Sequence, residues 1–265
     1  MILVTGATGT TGSALVDTLL ARGLPVTAVT RDPRRVTPRP GLTVTTSIGP
    51  ADALYLLSPA GPAIPEHDLT TLRAAIDAGI RRVVKLSAIG TPSRPAAAEE
   101  LGAWHQPGEE AVRTSGLEWT ILRPTTFATN SLVWAEDIRA GRPITNIFGD
   151  GAQGIVDPAD IAEVAAEALT TAGHHGRTYT LTGPELLTVP DQVAQLGEAL
   201  GRQLTTVDVE PRREHFPPEI ADVALAGAHL VRRGGNAVVT DDAERVLGRK
   251  PGTYRAWAEA NRARF

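Results

Sequence analysis

The chain has 265 residues, of which 42% are hydrophobic and 21% are charged, and its formal net charge at pH 7 is −4. This balance is typical of a globular protein with a sizeable core. Cysteine is absent, which excludes disulfides, thiolate catalysis and cysteine-ligated metal sites. The modest charge argues against nucleic acid as a partner, and neither a membrane span nor a signal peptide is predicted. We expect a cytoplasmic protein, and the sequence leaves its oligomeric state open.

The chain begins with a strand, turn, helix, strand pattern. Apolar residues predict a short buried strand at Met1–Val4, and a second strand is predicted at Pro25–Thr30. Leucines at helical spacing predict a helix at Ser13–Arg22. Between the first strand and the helix lies a glycine-rich turn, as in dinucleotide-binding βαβ units.

Each glycine of this turn has a separate task. Gly6 permits the tight turn, Gly9 lets the backbone approach a pyrophosphate, and Gly12 allows the helix to pack closely on the strand. The N-terminus of the helix then presents free N–H groups to the phosphates. The residues expected to bind the cofactor here are Gly6, Thr8, Gly9, Thr10, Thr11 and Gly12.

The residue that follows the second strand distinguishes the two nicotinamide cofactors. An acidic residue there would bind the ribose 2′-hydroxyl of NAD, whereas a guanidinium suits the 2′-phosphate of NADP. Arg31 is the first residue after the strand, and Arg35 follows shortly. Asp32 lies close enough to favour the opposite choice. We predict NADP (NADPH), with Arg31 and Arg35 near the 2′-phosphate.

Two further strands are predicted at Leu42–Thr46 and Ala53–Leu57. Only Ser47–Asp52 connects them, which is too short for a crossover helix. Either these strands are not parallel neighbours, or one outer face of the sheet is uncovered. A helix at Pro65–Ala78 and a central strand at Arg82–Ser87 follow.

Beyond this point helices and strands continue to alternate. Helices are predicted at Ala96–His105, Pro107–Thr114, Phe127–Ala140, Asp157–Thr170, Pro190–Leu200, Pro218–Val231 and Thr253–Arg262, and strands at Leu117–Leu122, Tyr179–Thr182 and Leu204–Val209. The alternation indicates an α/β fold, a doubly wound parallel sheet with a small C-terminal substrate lobe over its carboxyl edge.

Three segments resemble the NmrA-like family of atypical short-chain dehydrogenases/reductases: Met1–Gly12, Ser115–Pro124, and Asp160 to Ala162. The resemblance covers nearly the whole chain and implies a Rossmann fold that binds NAD(P). We assign residues 1–130 to the NADP-binding Rossmann core. Residues 131–265 supply the remaining core elements and a C-terminal substrate-binding lobe, and the two parts form a single interleaved unit.

The chain departs from this superfamily in its catalytic residues. The usual mechanism uses Tyr-x-x-x-Lys, in which the lysine lowers the pKa of the tyrosine. Only two of the 26 basic residues are lysines, Lys85 and Lys250, and neither follows a tyrosine at this spacing. Counted back from Glu109, His105 takes the lysine position and Leu101 the tyrosine position. The family also has Gly-Asp after its third strand, which this chain lacks.

His105 is therefore predicted to be the proton donor, because an imidazole titrates near neutrality. Ser87 ends the central strand, where the resemblance places the substrate-binding serine. The alternative for His105 is a helix cap, and the alternative for Ser87 is a hydroxyl bonded to backbone. Adjacent His174 and His175 cannot ligate a metal from one helix face, and no metal site is predicted.

Other binding residues are expected near the ends of strands. The cofactor is expected to contact Ser58 after the fourth strand, and Pro124, Thr125 and Phe127 after the sixth. Asn130, Trp104 and Trp134 are candidates for the substrate pocket, although each tryptophan is more often part of a core.

The predicted function is an NADPH-dependent reductase that acts on a small apolar or aromatic carbonyl, enone, quinone or imine. One alternative is an NADP-binding redox sensor of the NmrA type, which the absence of Tyr-x-x-x-Lys favours. Another is an isomerase or dehydratase that uses bound NADP.

Overall fold

The computed structural model describes residues 1–59, 61–93 and 102–265. The chain divides into two compact units, each built from separate segments. The described residues of the first unit are 1–59, 61–93, 102–124 and 158–180, and those of the second are 125–157 and 181–265.

A parallel sheet organises the first unit. Its strands are β1 (Ile2–Thr5), β2 (Val26–Val29), β3 (Leu42–Thr45), β4 (Ala53–Leu56), β5 (Arg82–Leu86), β6 (Glu118–Pro124) and β10 (Arg177–Leu181). Within the described residues the strand order is β10-β6-β5-β4-β1-β2-β3, and every pair from β6 to β3 is parallel. This is the doubly wound sheet that the alternating pattern predicted.

The order also explains the short connection after β3. β3 pairs with β2 at the edge of the sheet, whereas β4 pairs with β1 on its other side. The two strands are therefore not neighbours, which was the first of the two alternatives, and residues 46–52 cross between them without a helix.

Helices cover both faces of this sheet. They are α1 (Thr10–Ala21), α2 (Ile64–Asp77), α3 (Gln106–Thr114) and α5 (Pro158–Thr170). α1 packs on α5, and α2 packs on α3. On the α2–α3 face, the apolar side chains that these helices bury include Leu54, Leu72, Val83, Val112 and Ile121. Burial of this apolar surface is the main term that holds the layers together.

The second unit contains shorter elements. Its strands are β7 (Thr126–Phe127), β8 (Ile144–Asn146), β9 (Gln153–Val156), β11 (Leu186–Leu187) and β12 (Thr206–Asp208). Its helices are α4 (Ala135–Arg139), α6 (Val189–Leu200), α7 (Ala221–Arg232), α8 (Asp242–Leu247) and α9 (Tyr254–Asn261). Its core includes Ile138, Ile144, Val193, Leu196 and Trp257. None of the helices in the part of the chain that the structure describes is long and apolar enough to cross a membrane.

Two predicted helices differ from the structure. The segment Phe127–Ala140 begins as β7, which pairs with β9, continues as a 3-10 helix at Ala128–Trp134, and becomes α-helical only in α4. Phe127 pairs with Val156 of β9 instead of beginning a helix, and the buried Ser131 accepts a hydrogen bond from Tyr254 Oη. Most of Ala96–His105 lies outside the described residues, and its last turn, Ala103–His105, is a 3-10 helix.

Candidate active site

The glycine turn joins β1 to α1 with very little space. Gly6 has φ +61°, and a Cβ there would lie 2.7 Å from the Leu57 side chain. A Cβ on Gly12 would lie 2.1 Å from the carbonyl oxygen of Gly6, so α1 can begin this close to β1 only with glycine at both positions. The glycine roles predicted from the sequence fit this geometry.

The positive end of α1 is open. Gly9 is its N-cap residue, and the first turn contains no acidic residue and no side-chain cap among the described residues. Thr8 and Thr10 lie toward the surface of the turn, whereas Thr11 is buried and accepts a hydrogen bond from Tyr55 Oη at 3.5 Å. Free N–H groups and the helix dipole favour a phosphate at this point.

The arginines after β2 fall into two classes. Arg34 binds Asp32 through two hydrogen bonds, Nε to Oδ1 at 2.8 Å and Nη2 to Oδ2 at 3.1 Å. The side-chain hydrogen bond from Arg34 lowers the pKa of Asp32. Arg31 and Arg35 are exposed, and no hydrogen bond or ion pair joins their guanidinium groups to another described residue. The acid that favoured NAD is thus neutralised by Arg34, and two guanidinium groups are left for a phosphate.

On the face of the sheet that α2 and α3 cover, the buried side chains are apolar along most of the strands and polar at the carboxyl ends of the strands. Because side chains alternate along a strand, Lys85 and Ser87 lie on the same face of β5 as buried Val83. We call this group the polar layer. Its members are Ser58, Lys85, Ser87 and Arg123 from the strands and their ends, with Asp68 from α2 and Glu109 from α3.

The polar layer has two halves, one around Glu109 and one around Asp68. Glu109 has no exposed surface. Its Oε1 accepts hydrogen bonds from the Ser87 hydroxyl at 2.6 Å and from Arg123 Nε at 2.8 Å. Its Oε2 accepts from the Nη2 atoms of Arg123 and Arg113, both at 2.6 Å. Burial raises the pKa of Glu109, but the hydrogen bonds from Arg123, Ser87 and Arg113 outweigh it and hold the pKa below its ordinary value.

The hydroxyl of Ser87 is therefore already hydrogen-bonded within the protein. It is 4% exposed, its proton goes to Glu109, and its oxygen lies 3.1 Å from the hydroxyl of Thr91. The sequence predicted Ser87 at the end of the central strand but did not anticipate a buried carboxylate as its partner.

Asp68 lies at the centre of the other half. It accepts hydrogen bonds from Lys85 Nζ and from the Ser58 hydroxyl, and Lys85 has no exposed surface. The Ser58 oxygen lies 3.1 Å from His67 Nδ1. Since Ser58 donates to Asp68, His67 donates to Ser58. Burial lowers the pKa of Lys85, and the charge of Asp68 opposes this effect.

Gly108 lets the two halves approach each other. A Cβ at this position, in the first turn of α3, would lie 2.1 Å from Asp68 Oδ2. Any larger residue would push α3 away from the Asp68–Lys85 pair.

His105 lies directly before α3 and serves as its N-cap residue. Burial first, and then the charge of Lys85, lower its pKa to about 3, with the charge of Glu109 acting in the opposite direction. Its Nδ1 is buried and has no hydrogen-bond partner among the described residues. Trp104, the residue before it, is half-buried. The imidazole is thus neutral at pH 7, so it can donate a hydrogen bond but carries no excess proton to release.

The remaining predicted residues divide between the units. Pro124 ends β6 in the first unit, whereas Thr125, Phe127, Asn130 and Trp134 belong to the second. There Thr125 is buried and donates to the carbonyl oxygens of Gly154 and Leu181, Phe127 is part of β7, Asn130 is exposed, and Trp134 packs against the core of its unit.

The adjacent histidines have structural contacts in the first unit. His174 binds Tyr179 Oη at 2.9 Å and Thr171 Oγ1 at 3.0 Å, and His175 accepts the backbone N–H of Trp119 at 3.1 Å. In the described ranges, no group of three or more histidine and acidic residues is arranged to hold a metal ion.

Sequence reasoning missed four members of the polar layer: Asp68, Lys85, Glu109 and Arg123. One signal was available, because a lysine and a serine alternate with apolar residues in a strand that is otherwise buried. The hydrogen bonds within the polar layer join residues that are 10 to 22 positions apart along the chain, from Ser58–Asp68 to Ser87–Glu109. Local sequence patterns do not predict contacts at these separations.

Comparisons with known proteins agree with this geometry. A family model described as NAD(P)H-binding matches residues 6–172. The chain is 36% identical to the (4-alkanoyl-5-oxo-2,5-dihydrofuran-3-yl)methyl phosphate reductase of Streptomyces griseus, over 100% of this chain and 99% of the relative. It is 30% identical to the NAD(P)H azoreductase of Xenophilus azovorans, again over 100% and 99%.

Solved structures share the fold. The NADPH-dependent quinone oxidoreductase of Escherichia coli complexed with NADPH superimposes with a TM-score of 0.83 at 22% identity, covering 98% of this chain and 99% of the other. The triphenylmethane reductase of Citrobacter sp. complexed with NADP(H) gives 0.82 at 21% identity and covers both chains completely. The chain therefore belongs to the NAD(P)H-binding family of Rossmann-fold oxidoreductases.

Proposed function

We propose that the protein is an NADPH-dependent reductase that transfers hydride to a small apolar or aromatic carbonyl, enone, quinone or imine. The observation that carries the cofactor choice is the pair of exposed guanidinium groups at Arg31 and Arg35, which have no partner among the described residues and lie beside an Asp32 that is ion-paired with Arg34. The names of the two curated relatives, a dihydrofuran phosphate reductase and an azoreductase, support reduction as the reaction class.

The first unit fits this cofactor. The N-terminus of α1 would hold the pyrophosphate, Arg31 and Arg35 the 2′-phosphate, and Ser58 and Pro124 border the same carboxyl edge. When bound, NADPH supplies the hydride. The residues of the chain bind and orient it and control where a proton or a hydrogen bond is available.

The protonation chemistry favours conjugated acceptors. Among the described residues of the first unit, His105 is neutral, Ser87 donates to Glu109, and Lys85 is buried against Asp68. Reduction of a simple ketone produces an alkoxide about as basic as hydroxide, which requires an acid at the site, whereas a quinone produces a phenolate whose conjugate acid has a pKa of about 10. A phenolate or enolate can take its proton from water, so quinones and enones suit this site better than isolated ketones.

Two measurements test the proposal. Thermal denaturation with NADPH, NADP, NADH and NAD should show the largest increase in Tm with the phosphorylated pair, because only the native state binds them. NADPH oxidation at 340 nm should then be faster with quinones and enones than with unconjugated ketones.

The outcomes separate the alternatives. A larger increase in Tm with NADH than with NADPH would overturn the assignment of Arg31 and Arg35. Tight NADPH binding without oxidation by any conjugated acceptor would favour a redox sensor. The observation that supports this alternative is the absence of Tyr-x-x-x-Lys from the sequence. Conversion of a substrate without net NADPH consumption would favour an isomerase or dehydratase.

A further inference from the structure

One ring nitrogen of His67 is bound within the protein and the other is open. Nδ1 lies 3.1 Å from the oxygen of Ser58, whereas Nε2 has no hydrogen-bond partner among the described residues. The buried side-chain atoms without a partner, in the part of the chain that the structure describes, are His105 Nδ1 and Gln195 Oε1. Nε2 of His67 is not one of these atoms, so it is accessible to solvent.

The hydrogen bonds around Ser58 determine the tautomer of this imidazole. Asp68 is a carboxylate, because it is ion-paired with Lys85, and it accepts the proton of the Ser58 hydroxyl. Ser58 has no second proton, so His67 Nδ1 carries the proton of the bond between them. The imidazole is mostly neutral at pH 7, since its ordinary pKa is about 6.5 and burial lowers it. Nε2 is therefore a free hydrogen-bond acceptor.

Contacts with the glycine turn place His67 at the carboxyl edge of the sheet. Thr5, at the end of β1, accepts the backbone N–H of Leu57 at 2.8 Å and donates to the carbonyl oxygen of Leu57 at 2.9 Å. The side chain of Leu57 also packs against Gly6, where a Cβ would lie 2.7 Å from it. Ser58 is the next residue. The imidazole is thus bonded to the residue that borders the turn assigned to the pyrophosphate.

Arg31 lies at the same edge. Strand β1 pairs with β4 on one side and with β2 on the other, and Arg31 follows β2. The charge of Arg31 also lowers the pKa of His67, after burial and the charge of Lys85, so the two side chains interact across this edge. In NADPH the adenosine connects the pyrophosphate to the 2′-phosphate. With these groups assigned to the turn and to Arg31, the adenosine passes beside His67.

We infer that His67 is a cofactor-binding residue whose Nε2 accepts a hydrogen bond from the adenosine half of the dinucleotide. The donors that this half offers are the adenine amino group and the 3′-hydroxyl of its ribose. The 2′-phosphate is largely a dianion at neutral pH, so it suits the arginines and not a free lone pair. The inference rests on the proposed function for the choice of cofactor, but it concerns binding alone and applies equally to a reductase and to a redox sensor.

Two substitutions test the two ring nitrogens separately. His67→Asn keeps an N–H near the position of Nδ1, which still donates to Ser58, but has no atom at the position of Nε2. His67→Gln has an acceptor near the position of Nε2 and loses the bond to Ser58. We expect the Kd for NADPH in fluorescence titrations to rise about three- to tenfold in His67→Asn, the loss of one neutral hydrogen bond, and to change less than about twofold in His67→Gln.

Truncated cofactors locate the effect. Adenosine 2′,5′-bisphosphate contains the adenosine half alone, and its Kd should rise in His67→Asn by the same factor as that of NADPH. Reduced nicotinamide mononucleotide lacks this half and should bind the variant and the wild type equally. The hypoxanthine analogue of NADPH identifies the donor: the effect of His67→Asn disappears with the analogue if the amino group is bound, and persists if the ribose hydroxyl is bound.

The control is His175→Asn. His175 is exposed and accepts the backbone N–H of Trp119 near the start of β6, at the amino edge of the same sheet, so this variant should bind NADPH like the wild type. Weaker binding in His67→Gln but not in His67→Asn would mean that His67 acts only through Ser58 and would refute the inference, as would unchanged binding in both. A wild type that bound neither NADPH nor adenosine 2′,5′-bisphosphate would refute the proposed function as well.

Discussion

Arg31 and Arg34 are separated by three positions, yet the structure gives them different tasks. Arg34 is bound to Asp32, whereas Arg31 is exposed and has no described hydrogen-bond partner. We expect Arg31→Ala to raise the Kd for NADPH by roughly 10- to 100-fold, the loss of one or two charge-assisted hydrogen bonds. The Kd for NADH should change by less than about twofold, as fluorescence titration with each cofactor will measure.

Arg177→Ala provides the matched control. Arg177 is an exposed arginine at the start of β10 and therefore at the amino edge of the same sheet. Its loss changes the net charge equally without touching the predicted phosphate site. An equal loss of NADPH affinity in both variants would mean that overall charge, and not the position of Arg31, determines the preference.

For Ser87 we predict an effect on stability, because its hydroxyl donates a hydrogen bond to the buried carboxylate of Glu109. We expect Ser87→Ala to destabilise the protein by about 1–2 kcal/mol, since Glu109 loses one of its hydrogen bonds. This corresponds to a decrease in Tm of roughly 2–8 °C, and kcat should stay within about threefold of the wild type. Calorimetry and steady-state kinetics measure both. A large loss of kcat without a change in Tm would instead assign Ser87 a direct contact with the substrate.

At the scale of elements, the close contact between α2 and α3 depends on Gly108, which has no side chain. Gly108→Ala places a Cβ 2.1 Å from Asp68 Oδ2, so either α3 moves or the Asp68–Lys85 pair breaks. We expect the free energy of unfolding to fall by about 3 kcal/mol. Urea denaturation measures this loss, and Gly49→Ala is the control, because a Cβ on Gly49 meets nothing within 4 Å. Equal stabilities for the two variants would contradict the tight contact.

Some of the helices and strands could be predicted from the sequence and others could not. The glycine turn, β1, α1 and β2 follow from local patterns, and their predicted bounds agree with the structure to within a few residues. The helix expected at Phe127–Ala140 is present from Ala128 to Arg139, but Ala128–Trp134 forms a 3-10 helix, only Ala135–Arg139 is α-helical, and Phe127 instead pairs with β9. The polar layer could not be predicted, since each of its bonds joins residues that are distant in sequence and their partners are set by the packing of helices on the sheet.

At the scale of the whole molecule, buried histidines determine how stability responds to acid. His105, His67 and His174 all have pKa values below the ordinary one, with burial as the first cause in each case. The unfolded chain therefore binds more protons than the folded chain once the pH falls below about 6.5. The stabilisation is complete above that pH and is lost progressively toward the folded pKa, which for His105 is about 3.

This linkage predicts a measurable slope. His105 alone can lower the free energy of unfolding by up to about 1.4 kcal/mol per pH unit below pH 6.5, and the more exposed His67 and His174 act in the same direction. Urea denaturation at pH 7.5, 6.0 and 5.0 should show this decrease, and His105→Gln should reduce the slope. Tryptophan fluorescence is a suitable signal, because Trp119 lies in the first unit and Trp257 in the second. If His105→Gln retains the full slope, the imidazole is not held neutral in the folded state, and the acid response must be assigned to other groups.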